Sequence, residues 1–334
     1  MKRYQVIKPG GLDKLCITNT EIPEPNAGEV LVRWRASSLN YHDYMVILGH
    51  IPSEDGRIPM SDGAGEVVAV GAGVTKWNTG DKVVSLFFPD WLEGKPSLSK
   101  TLGVTGDSID GCAVEYACVN AQALTAMPNN YSFEQAATLP CAALTAWRAL
   151  IVEGNLQAGD SVLVQGTGGM SMFALQIAKA AGAYVYATSS SEEKMERLKA
   201  MGADEVLNYR TDENWGITLA KRSGGIDHVL DIGADATLDH SLNAVAVGGN
   251  VTLIGVLGGL TAKLMVPKTF GKQVHMNGIA VGSREMQEKM ITAINTNHIV
   301  PVIDKSFGFD NLKEAFEHQA SGAHFGKIVL NYEK

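Results

Sequence analysis

The sequence predicts an α/β protein of two domains, a small β-barrel and a doubly wound parallel sheet. Three observations predict it. The 334 residues exceed the roughly 250–300 at which a single hydrophobic core stops growing. Residues 1–125 read as short strands separated by Gly, Pro and Asp. From about residue 130, strand and helix patterns alternate, which is the signature of βαβ units with right-handed crossovers.

The elements follow in order. EVLVRWRASSL, GAGEVVAVGAGV, DKVVSLFF and AVEYACVN are strand-like, and Gly63, Gly65, Gly71 and Gly73 mark tight bends or bulges. SFEQAATLPCAALTAWRALIVEG is helical in pattern but should be broken or kinked by Pro140. SVLVQG is then a strand, and residues 169–181 a helix with Met170, Phe173, Ile177 and Ala181 on one stripe. YVYATS, EVLNY, IDHVLDIG and NVTLIGV continue as strands. SEEKMERLKAMG, NWGITLAKRSG and TLDHSLNAVAVGG are the helices between them, and VHMNGIAVG adds a last strand. Helices over 285–297 and 310–320 and the strand KIVLNY either complete this sheet or return to the first domain. No internal repeat, low-complexity tract or long linker interrupts the chain.

Composition excludes several classes. Hydrophobic residues are 45% and charged residues 19%, a globular mixture, and the net charge of −8 offers no basic footprint for nucleic acid or an anionic membrane. No apolar run approaches the ~20 residues that span a bilayer. The opening MKRYQVIKPGG lacks an apolar signal region, so a cytoplasmic protein is expected. Cys16, Cys112, Cys118 and Cys141 are scattered and form no CxxC pair, against both a disulfide framework and a structural zinc site.

One stretch carries chemistry. VQGTGGMS, residues 164–171, follows a strand and opens a helix, the context in which a glycine turn cradles a dinucleotide. Gly166 permits the turn and Gly168 lets the backbone approach a pyrophosphate, with Thr167, Gly169 and Met170 completing the loop. The helix N-terminus adds free N–H groups and the positive dipole end. Ser171 stands where a third glycine would give close helix–strand packing. At the end of the next strand, where NAD-selective loops place a carboxylate, the chain has Thr188, Ser189, Ser190 and Ser191, then Glu192, Glu193 and Lys194. Hydroxyls and Lys194 suit a 2′-phosphate, so NADPH is the expected cofactor. Ser190 and Glu193 also fit a capping box, which is compatible with that role.

Taken together, LNYHDYMVILG, GAGEVVAVGAGVTKWNTGDKV, LPCAALTAWRAL, the glycine turn with ATSSSEEK, GSREM and HFGKIVL resemble the medium-chain dehydrogenase/reductase superfamily over nearly the whole chain. The nearest branch in pattern is its zinc-independent, quinone-oxidoreductase-like members. The resemblance implies a GroES-like β-barrel domain from residues 1–125 and 285–334, and a Rossmann domain over 126–284, with the active site in the cleft. Metal-dependent members place a cysteine at Asn40 and a His-Glu pair at Ser61-Asp62; only the third ligand position, Cys141, keeps its thiol. A catalytic zinc needs three protein ligands, so no metal is expected. The four-cysteine structural lobe is replaced by FFPDWLEGKPSLSKTLG, and nothing spaces His42 and His50 as a ligand pair.

Without a metal to hold an alkoxide, an activated acceptor is the easier substrate: a quinone or an α,β-unsaturated carbonyl, whose developing charge hydrogen bonds can stabilise. Asn40 and Tyr41 are the candidate catalytic residues, as amide and phenol donors. Tyr44, Phe87, Phe88, Trp91 and Cys141 are candidate pocket walls. By resemblance, Thr145, Gly255 and Val256 lie toward the nicotinamide, Lys194 and Tyr209 hold the 2′-phosphate, and Lys327 faces the cofactor unless it is a surface lysine. Two other readings are a metal-free aldehyde or ketone reductase and a non-catalytic NADPH-binding protein. The expected partners are a small-molecule substrate and a second copy of the chain, since VHMNGIAVG would leave a bare edge strand.

Overall fold

The computed structural model describes all 334 residues. It divides into two units, Met1–Leu144 with Val281–Lys334, and Thr145–Ala280. The division falls later than the expected 125/126 and slightly before the expected 284/285. The reason is local: Ala136 and Ala137 pack with Ala36, Ala64 and Val84, so the first helical turns after residue 130 belong to the first unit's core.

The first segment carries β1 (Lys2–Val6), β2 (Leu15–Asn19), β3 (Glu29–Ser38), α1 (Tyr41–Ile47), β4 (Asp62–Val70), β5 (Lys82–Ser85), α2 (Leu98–Thr101), β6 (Tyr116–Asn120), β7 (Leu124–Ala126) and α3 (Phe133–Ala137). The four strands expected here are β3, β4, β5 and β6. Pro140 neither ends nor sharply breaks the helical run: Leu139–Ala143 widens into a π-helical turn, then α4 (Leu144–Trp147) and a second wide turn, Arg148–Glu153, carry it on. Proline lacks the N–H an α-turn needs and its ring crowds the carbonyl four residues back, and a wider turn relieves both.

The second unit contains β8 (Ser161–Gln165), α5 (Gly169–Ala180), β9 (Tyr184–Ser189), α6 (Glu192–Ala200), β10 (Glu205–Asn208), α7 (Trp215–Ser223), β11 (Ile226–Asp231), α8 (Leu238–Ala244), β12 (Val245–Leu253), α9 (Val266–Gly271) and β13 (His275–Gly278). All six strands are parallel, in the order β10-β9-β8-β11-β12-β13. This is the dinucleotide-fold order, and it reverses between β8 and β11, where such sheets bind ligands. Helix α5 is buried over more than the expected stripe: Ser171–Leu175, Ile177 and Ala178 are buried, while Met170 and Ala181 are half-buried. Helix α8 stops at Ala244, short of the expected Gly249, because Val245–Leu253 is taken into the sheet.

The returning segment adds α10 (Arg284–Asn297), β14 (Ile303–Gly308), α11 (Leu312–Ala320) and β15 (Lys327–Asn331) to the first unit. Its seven-stranded sheet runs β14-β15-β3-β4-β5-β7, with β6 also paired to β3. Strand β3 is the hub: Ser38 lies opposite Asp62 of β4 and opposite Val329 of β15. The end of β3, the start of β4 and the start of β15 therefore meet at one place.

Candidate active site

The glycine turn is built as a cradle. Gly166 has a φ of 70°, which L-residues with a Cβ rarely adopt. Its N–H donates to Thr188 O at 3.0 Å, tying the turn to the tip of β9. Gly168 precedes α5, and no atom lies within 4 Å of the Cβ that it lacks, so the space above the helix start is open. No side chain caps that helix end, which leaves backbone N–H groups for an anion. Thr167 is buried beside it. Ser171 replaces the third glycine and closes the turn by donating to Gln165 O at 2.7 Å. These residues fit a nucleotide pyrophosphate.

At the ribose position, Ser189 is buried and Ser190 half-buried at the β9 tip. The helix cap is Ser191, whose hydroxyl accepts from Lys194 N; the expected Ser190–Glu193 pair is one residue out of register. The Tyr209 N–H donates to Ser189 O at 3.1 Å, so β10 delivers an exposed tyrosine to the serine cluster. Glu192 is held by Asn208 Nδ2 at 2.7 Å.

Beside the glycine turn, the tips of β8 and β11 are joined by a buried chain. Gln165 Nε2 donates to Ser241 Oγ at 2.7 Å, and Ser241 Oγ donates to Asp231 Oδ2 at 2.6 Å. The other Asp231 oxygen accepts from Gly233 N, Ala234 N and Thr237 Oγ1. After β12, Gly255 lies against this turn, where a Cβ would come 2.7 Å from Ile232 O, and Val256 is 40% exposed. Thr145 is buried at the start of the unit.

In the first unit, a polar cluster fills the meeting point of β3, β4 and β15. Lys327 is 3% exposed, which excludes the surface-lysine reading. Its ammonium donates to Leu39 O and Asn40 Oδ1, each at 2.6 Å, and lies 3.6 Å from Asp62 Oδ2. Asn40 Nδ2 donates to Ser61 Oγ at 3.1 Å. Asp43, in the first turn of α1, accepts from Asn40 N at 3.0 Å and Ser61 N at 2.8 Å. Asp62 Oδ2 accepts from Ser38 Oγ at 3.2 Å, while Asp62 Oδ1 is buried with no protein partner. Burial pushes both Asp43 and Asp62 up to about 6, against the opposing field of Lys327. Burial, with Asp62 next, holds the Cys141 thiol well above its ordinary range, so it is not a thiolate at neutral pH.

Sequence reasoning misses the role of Asp43 and the burial of Lys327. The spacing Asn40-x-x-Asp43 ahead of an apolar helix is a capping signal that points to the first. Tyr41 is 40% exposed on α1. Tyr44 packs on Phe316 at 5.8 Å and joins the core. Phe87, Phe88 and Trp91 are buried against one another, with ring centroids 4.8 and 6.1 Å apart, and the Trp91 indole donates to Gly94 O. His42 packs edge-on to Phe87, 3.5 Å from Asp107, and burial lowers its pKa; His50 is exposed.

Comparison with known proteins agrees with this architecture. Residues 26–129 match the family model of the alcohol dehydrogenase GroES-like domain, and residues 169–296 that of the zinc-binding dehydrogenase. A zinc-type alcohol dehydrogenase-like protein of Schizosaccharomyces pombe is 42% identical, over 97% of this chain and 96% of the relative. The 2-methylene-furan-3-one reductase of Solanum lycopersicum is 31% identical, over 99% of this chain and 79% of its own length. The solved structure of a candidate alcohol dehydrogenase from Sinorhizobium meliloti 1021 superposes with a TM-score of 0.93 at 38% identity, covering 99% and 98% of the two chains. The chain belongs to the medium-chain dehydrogenase/reductase superfamily, with its GroES-like and Rossmann-type domains, and is an oxidoreductase of that family. The zinc in its family's names does not fit the residues here. Asn40 and Ser61 are bonded to each other, an ammonium sits among them, and no group of three or more His, Cys, Asp or Glu could hold a metal ion.

The raised carboxyls have a testable sign. Their folded pKa of about 6 lies above the unfolded value near 3.8, so the native cluster binds protons that the unfolded chain has released. Its contribution to stability therefore rises as pH falls from about 7 toward 5. Asp62→Asn removes one of the titrating groups, so the stability difference between wild type and variant should shift toward wild type over that range in urea titrations. A difference that is flat with pH, or that moves the other way, would contradict the assignment.

Proposed function

We propose that the chain is an NADPH-dependent reductase of activated acceptors, quinones or α,β-unsaturated carbonyls, working without a metal in the cytoplasm. The observation that carries this reading is the polar set at the β3–β4–β15 junction: the Asn40 amide and Ser61 hydroxyl as donors, beside an ammonium that a carboxylate faces. Such a set can give hydrogen bonds to an oxygen that gains charge, but it cannot supply the Lewis acid that oxidation of a simple alcohol uses. The tomato relative's name supports the substrate class, since a 2-methylene-furan-3-one is a carbonyl conjugated to a methylene carbon. No helix is long and apolar enough to cross a membrane.

Bound NADPH would supply the hydride. Gly166, Thr167, Gly168, Gly169 and Met170 would hold its pyrophosphate on the α5 N-terminus. Ser189, Ser190, Lys194 and Tyr209 would take the 2′-phosphate, the nearby Glu192 being tied to Asn208. Asn40 through Nδ2, or Tyr41 through its hydroxyl, would polarise the acceptor oxygen.

Cofactor choice is checked by fluorescence titration. NADPH should bind more tightly than NADH, and Lys194→Ala should weaken NADPH selectively. Equal or tighter NADH binding would remove the assignment.

Substrate class is checked by NADPH oxidation across quinones, enones and saturated ketones, with zinc content measured in the same preparation. Turnover of quinones or enones, unaffected by chelators, is expected. Turnover of saturated ketones alone would favour the aldehyde/ketone reductase reading, and turnover of none a binding protein. Asn40→Ala or Tyr41→Phe should lower kcat by about 10²–10³ for whichever residue polarises the oxygen, with NADPH binding nearly unchanged. A change mainly in KM would make them walls.

The partner we propose is a second copy. β13 ends the parallel sheet with an open edge. The preceding segment exposes Leu257, Leu260, Leu264, Met265, Val266 and Phe270, with Leu260 83% and Phe270 69% exposed. Pairing two edges about a two-fold axis would cover both features. Light scattering at micromolar concentration should give a dimer mass, and a monomer mass would refute it.

A further inference from the structure

The Lys327 ammonium does more than fill a buried space. It has only donors to give, so each atom that it touches within hydrogen-bond distance must be an acceptor. Two contacts at 2.6 Å are Leu39 O and Asn40 Oδ1. The third side of the ammonium looks toward Asp62 Oδ2 at 3.6 Å. An asparagine amide has two faces of nearly the same shape, one a pure acceptor and the other a pure donor. With the oxygen turned to Lys327, the NH₂ is turned to Ser61, where Nδ2 donates across 3.1 Å. The same NH₂ also helps to hold the Asp62 carboxylate charged by donating toward it, so an incoming acceptor oxygen would take over one of these two hydrogens. The backbone of the same residue is fixed independently, since Asn40 N donates to Asp43 Oδ2 at 3.0 Å.

We infer that Lys327 is a positioning residue for Asn40: it locks the amide with its NH₂ as the presented group. The inference rests on the reading that Asn40 polarises the acceptor oxygen. The bond has a second effect. An ammonium drawing on the amide oxygen polarises the whole amide, and linked hydrogen bonds strengthen one another in a low-dielectric site. Nδ2–H is therefore a better donor than that of an isolated asparagine. Lys327 gives two hydrogen bonds to protein atoms, is ion-paired with Asp62 and is buried, so on this inference it acts through Asn40, not on the substrate.

The test needs a variant that does not strand a charge. Lys327→Met alone would leave Asp62 buried without its cation, so Lys327→Met is combined with Asp62→Asn, and Asp62→Asn alone serves as the control. The steady-state cycle compares wild type, Asn40→Ala, the Lys327→Met/Asp62→Asn pair and all three changes together. Asn40→Ala should lower kcat by about 10². The pair should approach that loss, and the triple variant should lose nothing beyond Asn40→Ala. Losses that multiply in the triple variant would overturn the inference. So would a pair whose only defect is a raised KM for NADPH, because Lys327 would then be a cofactor ligand. A second readout is independent of activity: neutron diffraction from deuterated wild-type crystals. Three deuterons on Lys327 Nζ, and two on the Asn40 atom facing Ser61, are expected. Deuterons on the Asn40 atom facing Lys327 would overturn the inference. If wild type reduces none of the quinones or enones, the functional reading fails while the neutron map still decides the orientation of the amide.

Discussion

A positive charge that cannot reach water sets the terms for the tip of the first unit's sheet. Removing an ammonium from solvent is unfavourable by several kcal/mol unless its hydrogens are accepted. At 3% exposure Lys327 finds its acceptors only because three strands end together. The exit of β3 brings Leu39 O and Asn40 Oδ1, and the start of β4 brings Asp62. A slip of one residue in any of these pairings would turn its side chains to the opposite face. The register Ser38–Asp62 and Ser38–Val329 is thus fixed by charge as well as by the apolar core. Burial makes both carboxyls less acidic than an exposed aspartate, and the one cation they share offsets that only in part. Asp43 carries the constraint outward: by accepting from both Asn40 N and Ser61 N it ties the start of α1 to the segment entering β4.

The second unit solves a similar problem with neutral donors. Parallel strands β8 and β11 part where the strand order reverses, and their tips need a link that leaves the space above them open. Gln165 supplies it, donating to Ser241 while accepting from Ile232 N. Asp231 then gathers the backbone of Gly233 and Ala234 with the Thr237 hydroxyl. Ala234 sits at a φ of 48°, an uncommon conformation for a residue with a Cβ. The bonds to Asp231 hold the chain there. Ser171 contributes to the same link through Gln165 O, which explains how the turn keeps its shape without its third glycine.

Much of this is legible in the sequence, for physical reasons that differ by element. Buried parallel strands such as SVLVQ and IDHVLD announce themselves as short β-branched runs between helices, and the glycine turn by its position after one of them. The strands β1, β2, β7 and β14 escape sequence reading, because half-exposed strands such as LCITN carry no clean alternation. The wide turn at Pro140 reads as a break, since sequence marks where an α-turn fails but not what replaces it. The aromatic residues of FFPDW read as pocket walls, yet the chain folds them onto one another. Composition cannot tell an aromatic that lines a pocket from one that packs a loop. Lys327 is the hardest to read: an isolated lysine is a surface residue by default. Its acceptors at Leu39 and Asn40 lie 288 and 287 positions away along the chain, beyond the reach of any local pattern.

The difference between a zinc ion and this ammonium bears on which reactions the site can favour. A catalytic zinc keeps a coordination position open, so substrate oxygen meets the cation itself. An ammonium has three N–H directions, and here two are filled at 2.6 Å by Leu39 O and Asn40 Oδ1. The third faces a carboxylate. Its charge can reach a substrate oxygen only through the polarised amide and through space, where Asp62 partly cancels it. On the proposed reading, the negative charge formed on reduction must therefore be spread by the substrate. Quinones and enones do this through conjugation, whereas a saturated ketone concentrates the charge on one oxygen. The same geometry disfavours a return to metal dependence by a single substitution. Asn40→Cys would place a thiol beside an ammonium that still occupies the junction, with Ser61 still lacking an imidazole. Recovering a metal site would require the cation of β15 to leave as the ligands of β3 and β4 arrive.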